Sequence, residues 1–190
     1  MNHMDPDAAA TRNVVLYELM SLDGYADDPG EGEWFGDADE RLMDFLGEVI
    51  DTQDAVLLGR RTYEKWVGHW PSSDMQPFAD FINSTTKYLF SATPPTSAWS
   101  NTLHVDVAAA AYVSDLKRQA GGDIGIHGSL TLARSLLADG LVDQLRLVVA
   151  PSLAGRGNRL FGEDMDLQRF ELLDAQRSGG CLLLHYRARH

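Results

Sequence analysis

Cysteine, basic side chains and long apolar runs are scarce in this sequence, and each shortage closes off a class of function. Cys181 is the only cysteine among 190 residues, so no internal disulfide forms and a reducing, cytoplasmic setting is expected. Its expected role is that of a small buried strand residue rather than a nucleophile. Lys and Arg number 16 against 28 Asp and Glu, a formal charge of -12. Such a surface repels phosphate backbones, so nucleic acid is not an expected partner, while a local basic pocket still suits a small anion. No apolar run approaches the roughly 20 residues of a membrane span, and no membrane partner is expected. Residues 1–12 read as a flexible tail, because Met1 to Thr11 lacks the basic start and apolar stretch of a signal peptide. No spacing of His and carboxylate residues suits a metal, and no Gly-x-Ser-x-Gly elbow marks an α/β-hydrolase.

What remains is an ordinary globular composition, 44% hydrophobic and 23% charged, with one domain over residues 13–190 able to bury a core. Val14 to Leu19 has the β-branched, apolar look of a buried strand. Ser21 to Gly36 carries four glycines, Pro29 and five acids, which predicts a long loop of the kind that often forms a lid. Asp37 or Asp39 caps a helix through about Gln53, with Leu42, Phe45, Leu46, Val49 and Ile50 on one face. Strands follow at Ala55–Leu58, Lys87–Phe90, Leu103–Val105, around Ile124, and at Gln144–Ala150. Helices are expected from Thr62, over Phe78–Asn83, over Ala108–Gln119, and from Leu130 to Leu141. Phe170–Gln176 and Cys181–Arg187, joined through Ser178-Gly179-Gly180, read as a hairpin. Strands alternating with helices and closed by a hairpin predict a mostly parallel sheet, helices on both faces and an antiparallel edge.

Twice an apolar strand runs into a glycine and then a helix, at Gly59-Arg60-Arg61-Thr62 and at Gly128-Ser129-Leu130. Each turn offers unpaired backbone N–H groups and a favourable dipole to an anion, and glycine lets a phosphate approach closely. Two such turns suggest a ligand with more than one phosphate.

Further motifs stand in order around them: Ser21-Leu22-Asp23-Gly24-Tyr25, Lys87-Tyr88-Leu89-Phe90-Ser91, Gly140-Leu141-Val142-Asp143-Gln144-Leu145, Pro151-Ser152-Leu153-Ala154-Gly155-Arg156-Gly157 and Leu160-Phe161. From about Asn13 to Tyr186 the chain resembles the dihydrofolate reductase superfamily. The branch is that of the C-terminal reductase domain of bacterial bifunctional riboflavin-biosynthesis deaminase/reductase proteins. The resemblance implies a dihydrofolate-reductase-like three-layer sandwich and a reductase that uses NADPH on a small pyrimidine- or pterin-like substrate. It places Arg60, Arg61 and Ser91 near the adenosine 2′-phosphate, with Gly59 opening that turn, and Thr62, Gly128, Ser129 and Leu130 on the pyrophosphate. Leu19, Met20 and the Ser21–Gly24 loop would border nicotinamide and substrate, and Gly155 to Gly157 would help close the pocket. These residues hold no deaminase-like set of zinc-binding His and Cys, so a bifunctional enzyme is not expected. The acid that dihydrofolate reductases carry early in the first helix has several counterparts, Asp37, Asp39, Glu40 and Asp44, and none is singled out. A non-catalytic nucleotide-binding module and a true dihydrofolate reductase therefore stay open beside the reductase reading.

Several residues admit a plainer role. Arg60 and Arg61 also suit a solvated helix start paired with nearby acids, and Ser129 suits a helix cap. Asp23 is a substrate contact or a turn former, and Asp23 and Asp44 are the candidates for proton transfer. Trp34, Trp66 and Trp70 suit a pocket wall or core, and His69 and His127 suit structural positions. A homodimer is expected, because the apolar strand Cys181-Leu182-Leu183-Leu184 would need protection if it formed a sheet edge.

Overall fold

A computed structural model describes residues 11–31, 33–162 and 165–189. Most of the expected tail, residues 1–10, lies outside these. The chain forms strands β1 (Val14–Ser21), β2 (Gln53–Gly59), β3 (Thr86–Phe90), β4 (Thr102–Val105), β5 (Asp123–His127), β6 (Gln144–Ala150), β7 (Phe170–Ser178) and β8 (Cys181–Ala188). Helices α1 (Glu40–Asp51), α2 (Arg60–Trp66), α3 (Phe78–Ser84), α4 (Ala109–Lys117) and α5 (Leu130–Ala138) lie between them.

The strands make one sheet in the order β4-β3-β2-β5-β1-β6-β8-β7. The first six in that order run parallel, β8 pairs antiparallel with β6 and β7 pairs antiparallel with β8, so the expected architecture is the one observed. Alternation along the strands divides the core in two. Val15 and Tyr17 of β1 join Val56 and Leu58 of β2 under α1, α2 and α3. Val14 and Leu16, with Ala55, Leu57, Ile124 and Ile126, pack under α4 and α5. Period-two side chains buried on both faces are what a central parallel sheet requires.

Local chemistry sets the helix ends. Asp39, rather than Asp37, caps α1 by accepting from the Leu42 N–H at 3.0 Å, and it also accepts from the Ser178 hydroxyl. The five residues expected on one face of α1 are its buried ones. Several helix bounds differ from expectation: α1 ends at Asp51, α3 runs on to Ser84, α4 spans Ala109–Lys117, α2 starts at Arg60 before Thr62, and α5 stops at Ala138, before Gly140 turns the chain at φ +66°.

The sheet order removes the reason for expecting a dimer. β8 lies between β6 and β7, so Leu182 to Leu184 has backbone partners on both sides, and Cys181 pairs with Ser178 of β7. The edge is β7, which is largely exposed and carries Glu171, Asp174, Gln176 and Arg177. Charged side chains on an exposed edge discourage strand addition. Cys181 is buried and unpaired, as its plainer role required.

Candidate functional site

In open α/β sheets, ligands gather at the carboxyl ends of the strands where the strand order reverses. Here β5 inserts between β2 and β1, and β6 continues on the far side of β1, so the reversal lies at β5 and β1. Two clefts open at that edge.

The first cleft, about 580 Å³, is lined by the turns after β2 and β5, with Phe90 at the end of β3. Gly59, Arg60, Arg61, Thr62, Gly128, Ser129 and Leu130 all border it. The two turns are bonded to each other: the Gly59 N–H donates to Ser129 Oγ at 3.0 Å, and Thr62 Oγ1 donates to the Gly128 carbonyl at 3.2 Å. Ser129 therefore spends its hydroxyl on the neighbouring turn and makes no side-chain cap on α5. Gly128 sits at φ +66°, and a Cβ there would come within 3.2 Å of Trp66 Cζ2. That position favours glycine twice over, by backbone conformation and by crowding.

Three guanidinium groups face this cleft. Arg60 pairs with Glu64 at 2.7 Å on the next turn of α2 and also donates to Thr93 Oγ1, so the helix-start role applies to it in part. Arg61 has no acidic partner among the described residues. Arg134, on the first cleft's α5 wall, went unremarked in the sequence; its Nε donates to the Leu130 carbonyl at 3.3 Å. The signal available for it was the spacing from Leu130, which puts it one helical turn along on the same face. Ser91 does not border the cleft. Its hydroxyl bonds the Thr93 carbonyl at 2.7 Å, supporting the Thr93 that contacts Arg60.

The second cleft, about 480 Å³, is built from the loops after β1 and β6: Tyr25, Asp27, Asp28, Glu33 and Trp34 face Ala154, Arg156 and Gly157. The loops are zipped into a flap. Leu22 N–H bonds Ser152 O, Ala26 N–H bonds Asn158 O and Leu160 N–H bonds Gly24 O, each at 2.9 Å. Asp23 acts as a clasp in this flap, accepting from Ser21 Oγ at 2.6 Å, Gly155 N–H at 2.8 Å and Ala154 N–H at 3.0 Å. The Ser21 bond leads the causes that hold its carboxyl below the usual range, which suits an acceptor and not a proton donor. Asp27 repeats the device on Asn158, with two bonds of 2.7 Å. Gly157 makes room for it: at φ +120°, a Cβ would lie 1.9 Å from Asp27 Oδ2. Gly155 belongs to the clasp and borders neither cleft, and Met20 packs into the core below β1.

The acids at the first helix do not meet this site from inside. Asp37, Asp39, Glu40 and Asp44 are all exposed, because Leu42, Phe45 and Leu46 turn the other face of α1 to the core. The histidines take structural positions. His127 is buried against Tyr17, Phe78 and Phe81, bonds Gln53 at 2.8 Å, and burial pushes it down to about 3, so it stays neutral. His69 stacks edge-on against Trp70. Trp66 and Trp70 pack on Phe78, while Trp34 walls the second cleft.

The buried acid is elsewhere. Glu18 of β1 is 5% exposed; its Oε1 accepts from the Leu19 N–H at 3.3 Å, and its Oε2 has no partner among the described residues. Desolvation raises it to about 8, against the opposing pull of the Leu19 and Gly128 amides. A single acid within the apolar run Val14 to Leu19 was the available signal, and the strand pattern hid it.

Comparison with known proteins adds four findings. Residues 12–184 match the model of the RibD C-terminal domain. The uncharacterized protein YwjB of Bacillus subtilis is 29% identical over 180 residues, covering 92% of this chain and 97% of its own. The fold matches that of a pyrimidine reductase-like protein from Corynebacterium diphtheriae (TM-score 0.68, 17% identity, 94% of this chain and 92% of that one). It also matches dihydrofolate reductase from Enterococcus faecalis, solved with NADP(H) (TM-score 0.63, 14% identity, 94% and 97%). Among the described residues no helix is long and apolar enough to cross a membrane, and no group of acids, His and Cys is arranged to hold a metal.

Proposed function

The chain belongs to the RibD C-terminal domain family, and from that premise we propose that it is an NADPH-dependent reductase acting on a small pyrimidine- or pterin-like substrate. The observation that carries this reading is the first cleft: three arginines converge on two fused glycine turns in a protein of net charge -12. Anion binding is the use that fits such a local reversal of charge. The residues fit a dinucleotide, because the Gly59 and Gly128 turns border one cleft together with three arginines. Arg60 and Arg61 would hold the adenosine 2′-phosphate and Arg134 the pyrophosphate, with Thr62 and Ser129 bracing the turns. When bound, the cofactor supplies hydride. The chain's own part is to orient the two ligands at the β5–β1 boundary and keep water out with the flap. A substrate of the kind reduced by 5-amino-6-(5-phosphoribosylamino)uracil reductases suits the second cleft, whose Trp34 and Tyr25 offer ring faces and whose acids offer acceptors to ring N–H groups.

Isothermal titration with NADPH and NADH tests the reading. NADPH should bind more tightly, and replacing Arg60 and Arg61 together by alanine should weaken it by about tenfold to a hundredfold per lost contact while NADH changes little. Equal losses for both nucleotides, or no binding to the unaltered protein, would sink it.

A further inference from the structure

Glu18 lies on β1 between β5, whose closing turn lines the first cleft, and β6, whose following loop lines the second. β1 pairs with β5 only from Val14 through Tyr17, whose partner is His127. Glu18 is the first β1 residue past that ladder, beside the point where Gly128 turns β5 away into the first cleft. Its other neighbouring strand offers only apolar Leu147. Asp28, which lines the second cleft, is the charged group whose field reaches it, and Asp28 is itself paired with Lys65 at 2.8 Å. Tyr17 and His127 lie in the core under α1 and α3, and His127 is neutral there. An acid buried in such a place costs stability even with the Leu19 and Gly128 amides beside it. Groups kept at that cost cluster at sites of chemistry.

We infer that Glu18 is the proton donor of the reduction, its carboxyl O–H giving its hydrogen to the nitrogen of a C=N bond in the acceptor. The inference rests on the reductase reading. In this step the C=N double bond becomes a C–N single bond while new C–H and N–H bonds form, and the acceptor gains two electrons. A reduced nicotinamide dinucleotide provides the hydride and is oxidised. The O–H bond of Glu18 breaks, and the carboxylate left behind regains a proton from water. Burial keeps the acid form present at neutral pH, which is the state a donor needs.

The test uses the full chain, unaltered and as Glu18→Gln, with carboxyl carbons of glutamate labelled for NMR. One carboxyl should titrate near pH 8 in the unaltered protein and be missing from the variant. NADPH affinity, measured by titration calorimetry, should agree between the two within about threefold, since the amide keeps the shape. With dihydrofolate and 5-amino-6-(5-phosphoribosylamino)uracil as acceptors, single-turnover NADPH oxidation should fall by about a hundredfold or more in the variant at neutral pH. The unaltered protein should lose rate as pH rises past about 8, and the variant should be flat there. A buried acid of purely structural use would change stability and leave that profile alone. Equal rates and equal profiles overturn the donor role while the reductase reading stands, as does a Glu18 carboxyl that titrates in the ordinary range. Failure to bind NADPH overturns the reductase reading itself. NADPH bound but consumed with neither acceptor overturns the choice of a C=N acceptor and the donor role with it. The unaltered protein alone supplies the titration and the profile, so a misfolded variant does not block the test.

Discussion

The two clefts share one sheet edge and are built in opposite ways. The first rests on strand ends that turn directly into helices, and its two turns are bonded to each other through Ser129 Oγ and Thr62 Oγ1. The second hangs on two loops held together by carboxylates on backbone amides, Asp23 on Ala154 and Gly155, and Asp27 on Asn158. The first collects arginines; the second collects acids and two aromatic rings. Groups on strand and helix ends are held more rigidly than groups on loops, and loops tolerate change. Under the proposed reductase reading, the contrast amounts to a division of labour: a rigid basic half for a ligand of fixed shape, and an adjustable half for the partner that sets specificity.

The largest expected effect attacks the basic half. Arg61→Ala combined with Arg134→Ala should weaken NADPH binding by about a hundredfold at low salt and less at high salt, since partly exposed charges are screened. Arg60→Ala alone should cost less than Arg61→Ala, because Glu64 already holds Arg60. Calorimetry at two ionic strengths checks both, and a larger loss from Arg60 would break the assignment.

The next attacks the loop half. Gly157→Ala places a methyl group against Asp27 at a positive φ, which should destabilise the flap by about 1–3 kcal/mol. Hydrogen exchange should speed up at the Ala26, Asn158 and Leu160 amides while the Gly59 amide stays protected. Equal loosening at both would show that the clefts do not behave as separate units.

At the boundary, Glu18 should make stability depend on pH. Its folded value, about 8, lies above the ordinary 4.5, so its contribution is complete below pH 4.5 and is lost as pH rises through about 8. Thermal melts across that window should show the unaltered protein losing ground to Glu18→Gln; a constant gap between them would contradict the buried acid. The smallest effect belongs to Asp44→Asn. That residue faces solvent on α1, so the change in stability should stay within about 0.5 kcal/mol, with NADPH binding untouched.

Much of the frame was readable in the chain because it depends on local pattern. Gln144–Ala150 came out with the bounds expected, and the buried face of α1 is the one its spacing implied. Both glycine turns were visible as strand, glycine, helix. What pattern could not carry was anything decided by a distant partner. Ser129 has the makings of a helix cap, yet its hydroxyl goes to Gly59, 70 residues away in sequence. Asp23 precedes a glycine like any turn residue, and only the fold brings Gly155 to it from 132 residues on.

The sequence by itself determined the alternation of strands and helices, the parallel sheet with its closing hairpin, and the acidic surface, because periodicity, turn residues and charge act over a few neighbours. The tertiary structure decided that β8 is covered by β7, that Arg134 joins Arg60 and Arg61, and that Glu18 is buried beside the Gly128 turn. Each of these depends on which elements lie side by side, and burial, which sets both the charge state of an acid and the exposure of an edge, exists only once the sheet has assembled.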